Sequence, residues 1–82
     1  MATDLRPHLD ALLATLGGIK DPIAREVAAR ELLDDLLPAT VKEAKQIRRE
    51  AVEELRSGRT LKQVGELLGL STARVDQILK GR

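Results

Sequence analysis

The sequence predicts an all-α protein, a compact bundle of about five helices that ends in a helix-turn-helix. Leucine and alanine dominate the chain and β-branched residues are sparse, a composition that favours helices over strands. Glycine and proline fall at separated points, where they divide the chain into amphipathic segments. With 82 residues, the chain has room for one hydrophobic core.

The composition excludes several kinds of functional site. The chain has no cysteine and a single histidine, His8, so it can form neither a disulfide framework nor a thiolate or histidine-based metal site. No candidate nucleophile is flanked by a base, and there is no phosphate-binding loop. The absence of aromatic residues removes the stacking platforms of single-stranded nucleic-acid binders. We therefore expect no enzymatic activity, no metal and no cofactor.

The net charge of +1 conceals an asymmetry between the two halves of the chain. Residues 1–41 carry four Lys or Arg against seven Asp or Glu, whereas residues 42–82 carry ten against six. This distribution suggests that only the C-terminal half faces a polyanion, unless the imbalance arises by chance among solvated charges. No apolar run approaches the ~20 residues that span a bilayer, and a signal-peptide pattern is lacking, so we expect a cytoplasmic protein without membrane contact.

The first helix is predicted to run from about residue 4 to Leu16. Thr3 or Asp4 is the expected N-cap, and Gly17-Gly18 ends the helix. One stripe of this helix is apolar, because leucines recur at helical spacing. The stripe consists of Leu5, Leu9, Leu12, Leu13 and Leu16.

A second helix is predicted to begin at Asp21-Pro22, an N-cap followed by a proline in the first turn, and to end at Pro38. Its apolar face consists of Ile23, Val27, Leu32, Leu33, Leu36 and Leu37. We expect the helical pair in residues 1–38 to form a dimerisation or partner surface, because so short a chain cannot hide all its leucines. The alternative is that these helices cover the back of the C-terminal region.

Residues 39–82 are predicted to contain a long third helix followed by two short ones, with the whole chain forming one compact domain. The third helix is expected from about Ala39 to Ser57, and Gly58 suits its closing position. Glu53 is expected to form an i,i+4 ion pair with Arg49. The predicted buried side is Val41, Ala44, Ile47, Ala51, Val52 and Leu55. The cations predicted to face out or to snorkel are Lys42, Lys45, Arg48 and Arg49.

Residues 60–80 are the most informative part of the chain. Residues 60–63, Thr-Leu-Lys-Gln, have the form of a capping box, which predicts a short fourth helix from Leu61 to Leu68. Ser71 is then expected to cap a fifth helix, from about Thr72 to Lys80. Two short helices joined by a three-residue turn can pack at a steep angle, as in a helix-turn-helix.

That packing sets requirements on particular positions. Gly65 supplies the small residue where the two helices cross, and Gly69 supplies the turn position that needs a positive φ. The inward hydrophobic residues are predicted to be Val64, Leu68, Leu70, Val75 and Ile78. These requirements together predict a helix-turn-helix, with an αα-corner in an ordinary bundle as the alternative.

Residues 60–79 resemble the helix-turn-helix of sigma factor region 4, and they read TLKQVGELLGLSTARVDQIL. In that family, a segment of the form T-L-x-x-V-G-x-x-L-G-V-S-x-x-R-V-x-Q-I reads the −35 promoter element. The whole chain resembles the small stand-alone sigma-region-4-like DNA-binding proteins of actinobacteria, which share its Ala/Arg/Leu/Gly-rich composition. The resemblance implies binding to double-stranded DNA and a role in transcription regulation.

The recognition helix departs from the family pattern. Sigma factors that read the −35 element usually carry arginine and glutamate where this chain has Thr72 and Ala73. A basic residue is also common where Asp76 stands, whereas Arg74 and Gln77 match the pattern. The resemblance therefore implies DNA binding through this fold without recognition of a standard −35 element.

The polar face of the recognition helix is expected to enter the major groove of DNA. Gln77 can pair with adenine, Thr72 can bond several bases, and Ala73 can pack against a thymine methyl. Asp76 can accept from cytosine or repel a phosphate, and Arg74 can contact guanine or a phosphate. The predicted base-contacting residues are Ser71, Thr72, Ala73, Arg74, Asp76 and Gln77.

Positive charges and two helix N-termini surround this face and are expected to hold the DNA backbone. Taken singly, each cation is more typical of a solvated surface, and their clustering around one face favours the phosphate role. The predicted phosphate-contacting residues are Arg59, Thr60, Lys62, Lys80 and Arg82.

These observations predict a transcriptional regulator that binds specific double-stranded DNA and is associated with the nucleoid. One helix-turn-helix with roughly four to six phosphate contacts binds non-specifically at ~10⁻⁴–10⁻⁶ M, so useful specificity favours two half-sites and a homodimer. The alternative is an adaptor in which the same module binds protein: RNA polymerase, a sigma factor or an anti-sigma factor.

Overall fold

The computed structural model describes residues 3–81, and all regular secondary structure in this range is helical. The elements are α1 (Arg6–Gly17), α2 (Pro22–Glu31), a π-helical turn (Leu32–Leu36), α3 (Leu37–Arg56), α4 (Leu61–Leu68) and α5 (Thr72–Leu79). The all-α prediction is therefore confirmed. None of the helices described is both long and apolar enough to cross a membrane.

The predicted break at Pro38 was wrong. Helical backbone continues from α2 through the π-helical turn into α3, so residues 3–81 contain four separate helical segments rather than five. Proline inside an α-helix lacks a donor, and its ring meets the carbonyl four residues earlier. Here the turn just before Pro38 is widened, with the N–H of Leu37 donating to the carbonyl of Leu32, five residues back. This wider turn accommodates the proline without ending the helix.

The prediction of one compact bundle was also wrong, because the chain divides into two units. The first ends at Pro38 and the second begins at Ala39, within the first turn of α3. No residue from 3 to 51 is buried, whereas the second unit has a buried core. A shared apolar core is what joins helices into one bundle, and the described residues form such a core only in the second unit.

In the first unit, α1 begins at Arg6. Its N-cap is Leu5, and neither Thr3 nor Asp4 caps it as predicted. Asp4 still satisfies one free amide of the first turn, because its Oδ1 accepts a hydrogen bond from the backbone N–H of Arg6 at 3.0 Å. Pro7 stands at the second position, where no donor is required.

The start of α2 is built as predicted. The carboxylate of Asp21 accepts hydrogen bonds from the backbone N–H groups of Ile23 at 3.4 Å and Ala24 at 3.3 Å. The guanidinium of Arg25 donates to the carbonyl of Ile19 at 3.1 Å, which ties the connecting loop back to α2. α2 is in contact with α1, and no side chain of either helix is buried.

The second unit has a small aliphatic core. Val64 and Val75 are fully buried, and Val52 and Ile78 are nearly so. The half-buried side chains packed against this core are Leu55, Leu61 and Leu79. The core joins the C-terminal part of α3 to α4 and α5.

The buried side predicted for α3 was wrong over much of its length. Val41 and Ile47 are exposed, as are Ala44 and Ala51. The reason is length: α3 has 20 residues, whereas α4 and α5 have eight each. At 1.5 Å per residue, helices that short cover only one end of α3.

Candidate DNA-binding surface

A capping box begins α4, as predicted. Thr60 has extended backbone, with φ −78° and ψ 162°. Its hydroxyl accepts a hydrogen bond from the backbone N–H of Gln63 at 3.1 Å, and its own N–H donates to the Gln63 side chain at 2.9 Å. Two of the free amides at this helix end are thereby satisfied, which holds the first turn of α4 in place.

Gly69 has the left-handed conformation that the sequence predicts, with φ 70° and ψ 30°. A residue with a side chain rarely adopts this conformation. The N–H of Gly69 donates to the carbonyl of Gly65, and the N–H of Leu70 donates to the same oxygen at 2.8 Å. The chain therefore reverses direction within three residues, between the end of α4 and the start of α5.

Gly65 is buried and lies against the turn, which confirms the prediction that a small residue is required there. A Cβ atom built on Gly65 would lie 2.6 Å from the carbonyl oxygen of Leu70, and 3.6 Å from the carbonyl carbon of Ser71. Both neighbours are backbone atoms, so they cannot rotate away. The close approach is thus to the turn and the entry of α5.

Two inward positions in the helix-turn-helix were predicted wrongly. Leu68 and Leu70 are 41% and 38% exposed, and neither belongs to the buried core. Leu68 is the last residue of α4, and the core lies towards Val64 and Gly65, one turn earlier. Both leucines therefore keep much of their surface in solvent.

Ser71 caps α5 through its hydroxyl, which accepts a hydrogen bond from the backbone N–H of Arg74 at 3.1 Å. Val75 and Ile78 face the core. Among the predicted base-contacting residues, those with exposed side chains are Ser71, Thr72, Ala73 and Gln77, and the half-buried ones are Arg74 and Asp76.

Hydrogen bonds and ion pairs already connect several of these side chains. The Arg74 Nη1 atom lies 3.5 Å from Oε1 of Gln77, at the long limit for a hydrogen bond. The Lys80 Nζ atom lies 2.8 Å from Oδ2 of Asp76, an i,i+4 ion pair. Asp76 therefore partly neutralises Lys80, which the sequence predicts to contact DNA phosphates.

The predicted phosphate-contacting residues occupy different local settings. The Arg59 guanidinium donates to the carbonyl of Leu55 at 3.1 Å, and Arg56 in turn donates to the carbonyl of Arg59. Arg59 is thus held across the C-terminal end of α3. Lys62 is exposed in the first turn of α4. Arg82 lies outside the described residues.

The second unit contains a cavity that was not predicted from the sequence. A cavity of about 250 Å³ is lined by Lys42, Lys45, Gln46, Arg48, Arg49, Ile78 and Gly81. The sequence predicts its four cations to face out from α3 or to snorkel. The i, i+3 and i+7 spacing of Lys42, Lys45 and Arg49 was visible in the sequence, whereas the closure of that face by the end of α5 was not.

The polar side chains on α5 offer donors and acceptors of the kinds that read base edges: a hydroxyl, an amide, a guanidinium and a carboxylate. No group of three or more potential metal ligands occurs in the part of the chain that the structure describes.

No family model, no curated protein and no solved structure matches this chain.

Proposed function

We propose that this protein binds specific sites on double-stranded DNA through α4 and α5 and regulates transcription, in the manner of the small proteins that resemble sigma factor region 4. The observation that carries the proposal is the tight turn at Gly69, packed against Gly65. It fixes α5 on the core through its apolar side and leaves the opposite, polar side in solvent. A helix held in this way fits the major groove of B-DNA.

Base reading is assigned to the exposed polar face of α5. Gln77 and Thr72 are exposed side chains with both donor and acceptor groups, and Gln77 has the geometry to pair bidentately with adenine. Ala73 is exposed beside them and can pack against a thymine methyl. Arg74 lies within reach of Gln77, so the two can act on neighbouring bases.

Phosphate contacts are assigned to Lys62 and Arg59, with the N-terminus of α4 at Thr60 between them. Lys80 contributes less than a free lysine would, because Asp76 pairs with it at 2.8 Å. The same carboxylate repels phosphates that approach out of register. Asp76 therefore favours particular docking positions and weakens binding to arbitrary DNA.

The first unit is assigned to dimerisation with a second copy of the chain. Residues 3–38 contain no buried side chain, and α1 exposes Leu9, Leu12 and Leu13, which recur at helical spacing. The exposed large apolar residues of this unit are Leu5, Leu9, Leu12, Leu13, Ile23, Val27, Leu33, Leu36 and Leu37. Apolar surface on this scale marks an interaction site, and two helix-turn-helix modules are what a specific operator ordinarily requires. A regulator of this kind acts on the nucleoid, in the cytoplasm.

Fluorescence anisotropy of labelled genomic duplex fragments, measured across a salt series, tests the proposal. We expect binding whose logarithm falls linearly with the logarithm of the salt concentration, with a slope of several units. A matched control is the Gly65→Val variant, in which backbone contact with Leu70 disrupts the turn while every charge is kept. Loss of binding in this variant would show that the fold, and not net charge, carries DNA binding.

The contrary outcome is equally informative. An absence of duplex binding at low salt would contradict the proposal and favour the adaptor, whose partners would be RNA polymerase, a sigma factor or an anti-sigma factor. An apolar protein interface would keep its affinity as the salt concentration rises, since few counterions are released.

A further inference from the structure

The cavity between α3 and the end of α5 is lined by an unusual set of side chains. Lys42, Lys45 and Arg49 lie on one face of α3, spaced so that each is about one helical turn from the next, and Arg48 flanks them. Ile78 and Gly81 close the cavity from the other side. All these residues belong to the second unit.

The charged side chains that line the cavity are all positive. Four cations line it and no carboxylate does. Glu53 pairs with Arg49 through the Nε atom at 3.1 Å, and Glu50 accepts a hydrogen bond from Gln46, at 3.1 Å. Glu43 and Glu54 are the other acidic residues of α3. Like charges gathered around one concavity repel each other, and a bound anion relieves that repulsion.

The size and lining of the cavity narrow the class of anion. Its volume of about 250 Å³ lies below the ~300–1,000 Å³ typical of pockets for larger organic ligands. No aromatic side chain exists in the chain to stack on a nucleobase. Guanidinium and ammonium groups match the oxygens of a phosphate, to which arginine can donate in a bidentate manner.

We propose that this cavity is a phosphate-binding site, separate from the base-reading face of α5. The phosphate belongs either to the backbone of a DNA duplex or to a free polyphosphate anion, and the chemistry of recognition is the same in both cases. If the phosphate belongs to a duplex, the inference rests on the proposed function. If the phosphate belongs to a free anion, the inference does not depend on DNA binding.

The first arm of the test measures binding of inorganic pyrophosphate to the full chain by isothermal titration calorimetry. The site variant is Lys45→Gln with Arg48→Gln, because both side chains line the cavity and neither belongs to the buried core. The control variant is Lys20→Gln with Arg30→Gln, which removes two exposed cations from the first unit. We expect at least tenfold weaker pyrophosphate binding in the site variant and no change in the control.

The second arm measures duplex binding by the same three proteins across a salt series. If the site holds backbone phosphates, the slope of log affinity against log salt should decrease by about two in the site variant, since each phosphate contact contributes about 0.9. The control variant should keep the slope of the unmodified chain. Circular dichroism melts of all three proteins show whether the fold is kept.

A selective loss in the site variant, in either arm, supports the inference and identifies the source of the phosphate. Pyrophosphate binding without any duplex binding would support the site while contradicting the proposed function. Equal behaviour of the site and control variants in both arms would overturn the phosphate site, and duplex binding that persists in all three proteins would then leave the proposed function standing.

Discussion

The amide of Leu70 donates a hydrogen bond to the carbonyl of Gly65 at 2.8 Å, while the carbonyl of Leu70 lies 2.6 Å from where a Gly65 Cβ would stand. Leu70 therefore both donates a hydrogen bond to Gly65 and leaves no room for a side chain at position 65. This relationship sets how closely the entry of α5 approaches α4. The orientation of the polar face of α5 depends on it.

Gly65→Ala should destabilise the second unit by about 1–3 kcal/mol, because the new methyl group meets a backbone oxygen that cannot rotate away. Glu66→Ala on the same helix is the control, since Glu66 is exposed and its change should stay within about 0.5 kcal/mol. Urea unfolding followed by circular dichroism measures both. Equal stability of the two variants would contradict the close approach at the turn.

Gln77→Ala should weaken binding to the cognate duplex by about 1–3 kcal/mol and change binding to random DNA little, because the amide reads a base edge. Lys62→Ala should weaken binding to both duplexes alike and decrease the salt slope by about one. Anisotropy titrations on the two duplexes separate the effects. Equal losses from Gln77→Ala on cognate and random DNA would refute its role in base reading.

Asp76→Asn should strengthen binding to random duplex and steepen its salt dependence by up to about one unit. The substitution releases Lys80 from the 2.8 Å ion pair and removes a charge that repels phosphates. Asp35→Asn is the control, because it removes one exposed acidic charge from the first unit. The same increase in both variants would mean that net charge, rather than the pair on α5, governs the effect.

Leu9→Gln with Leu13→Gln should convert a dimer into a monomer, because both leucines are more than half exposed, at 53% and 59%, on the surface assigned to the second copy. The matched control is Leu67→Gln with Leu68→Gln, two exposed leucines of the second unit. Sedimentation equilibrium measures the mass of each protein. A monomeric unmodified chain, or equal dissociation of both variants, would contradict dimerisation through the first unit.

Much of the second unit was predictable from the sequence because its elements are specified locally. The capping box at Thr60, the N-cap at Ser71 and the left-handed Gly69 each depend on a few adjacent residues. The ion pair of Arg49 with Glu53, predicted from i,i+4 spacing, is present at 3.1 Å. Local hydrogen bonds of this kind require no knowledge of distant segments.

The wrong predictions for α3 concern its continuity with α2 at Pro38 and the burial of its apolar side. Pro38 looked like a helix end because proline ordinarily stops one, and only the widened turn before it allows the helix to continue. Val41 and Ile47 have the periodicity of a buried face and yet are exposed. Periodicity shows which side of a helix is apolar, and it does not show whether another element reaches that side.

The sequence by itself determined the all-helical character, the N-caps of α2, α4 and α5 and the turn between α4 and α5, because those features follow from short-range bonding and from the backbone freedom of glycine. Tertiary structure alone decided which of the predicted inward residues form the core, and that the two segments do not share one compact bundle. It also placed the end of α5 against the cations of α3 and so formed a cavity there. Burial and cavities depend on where segments that are distant in the sequence meet in space, and the pattern of residues along the chain does not specify those contacts.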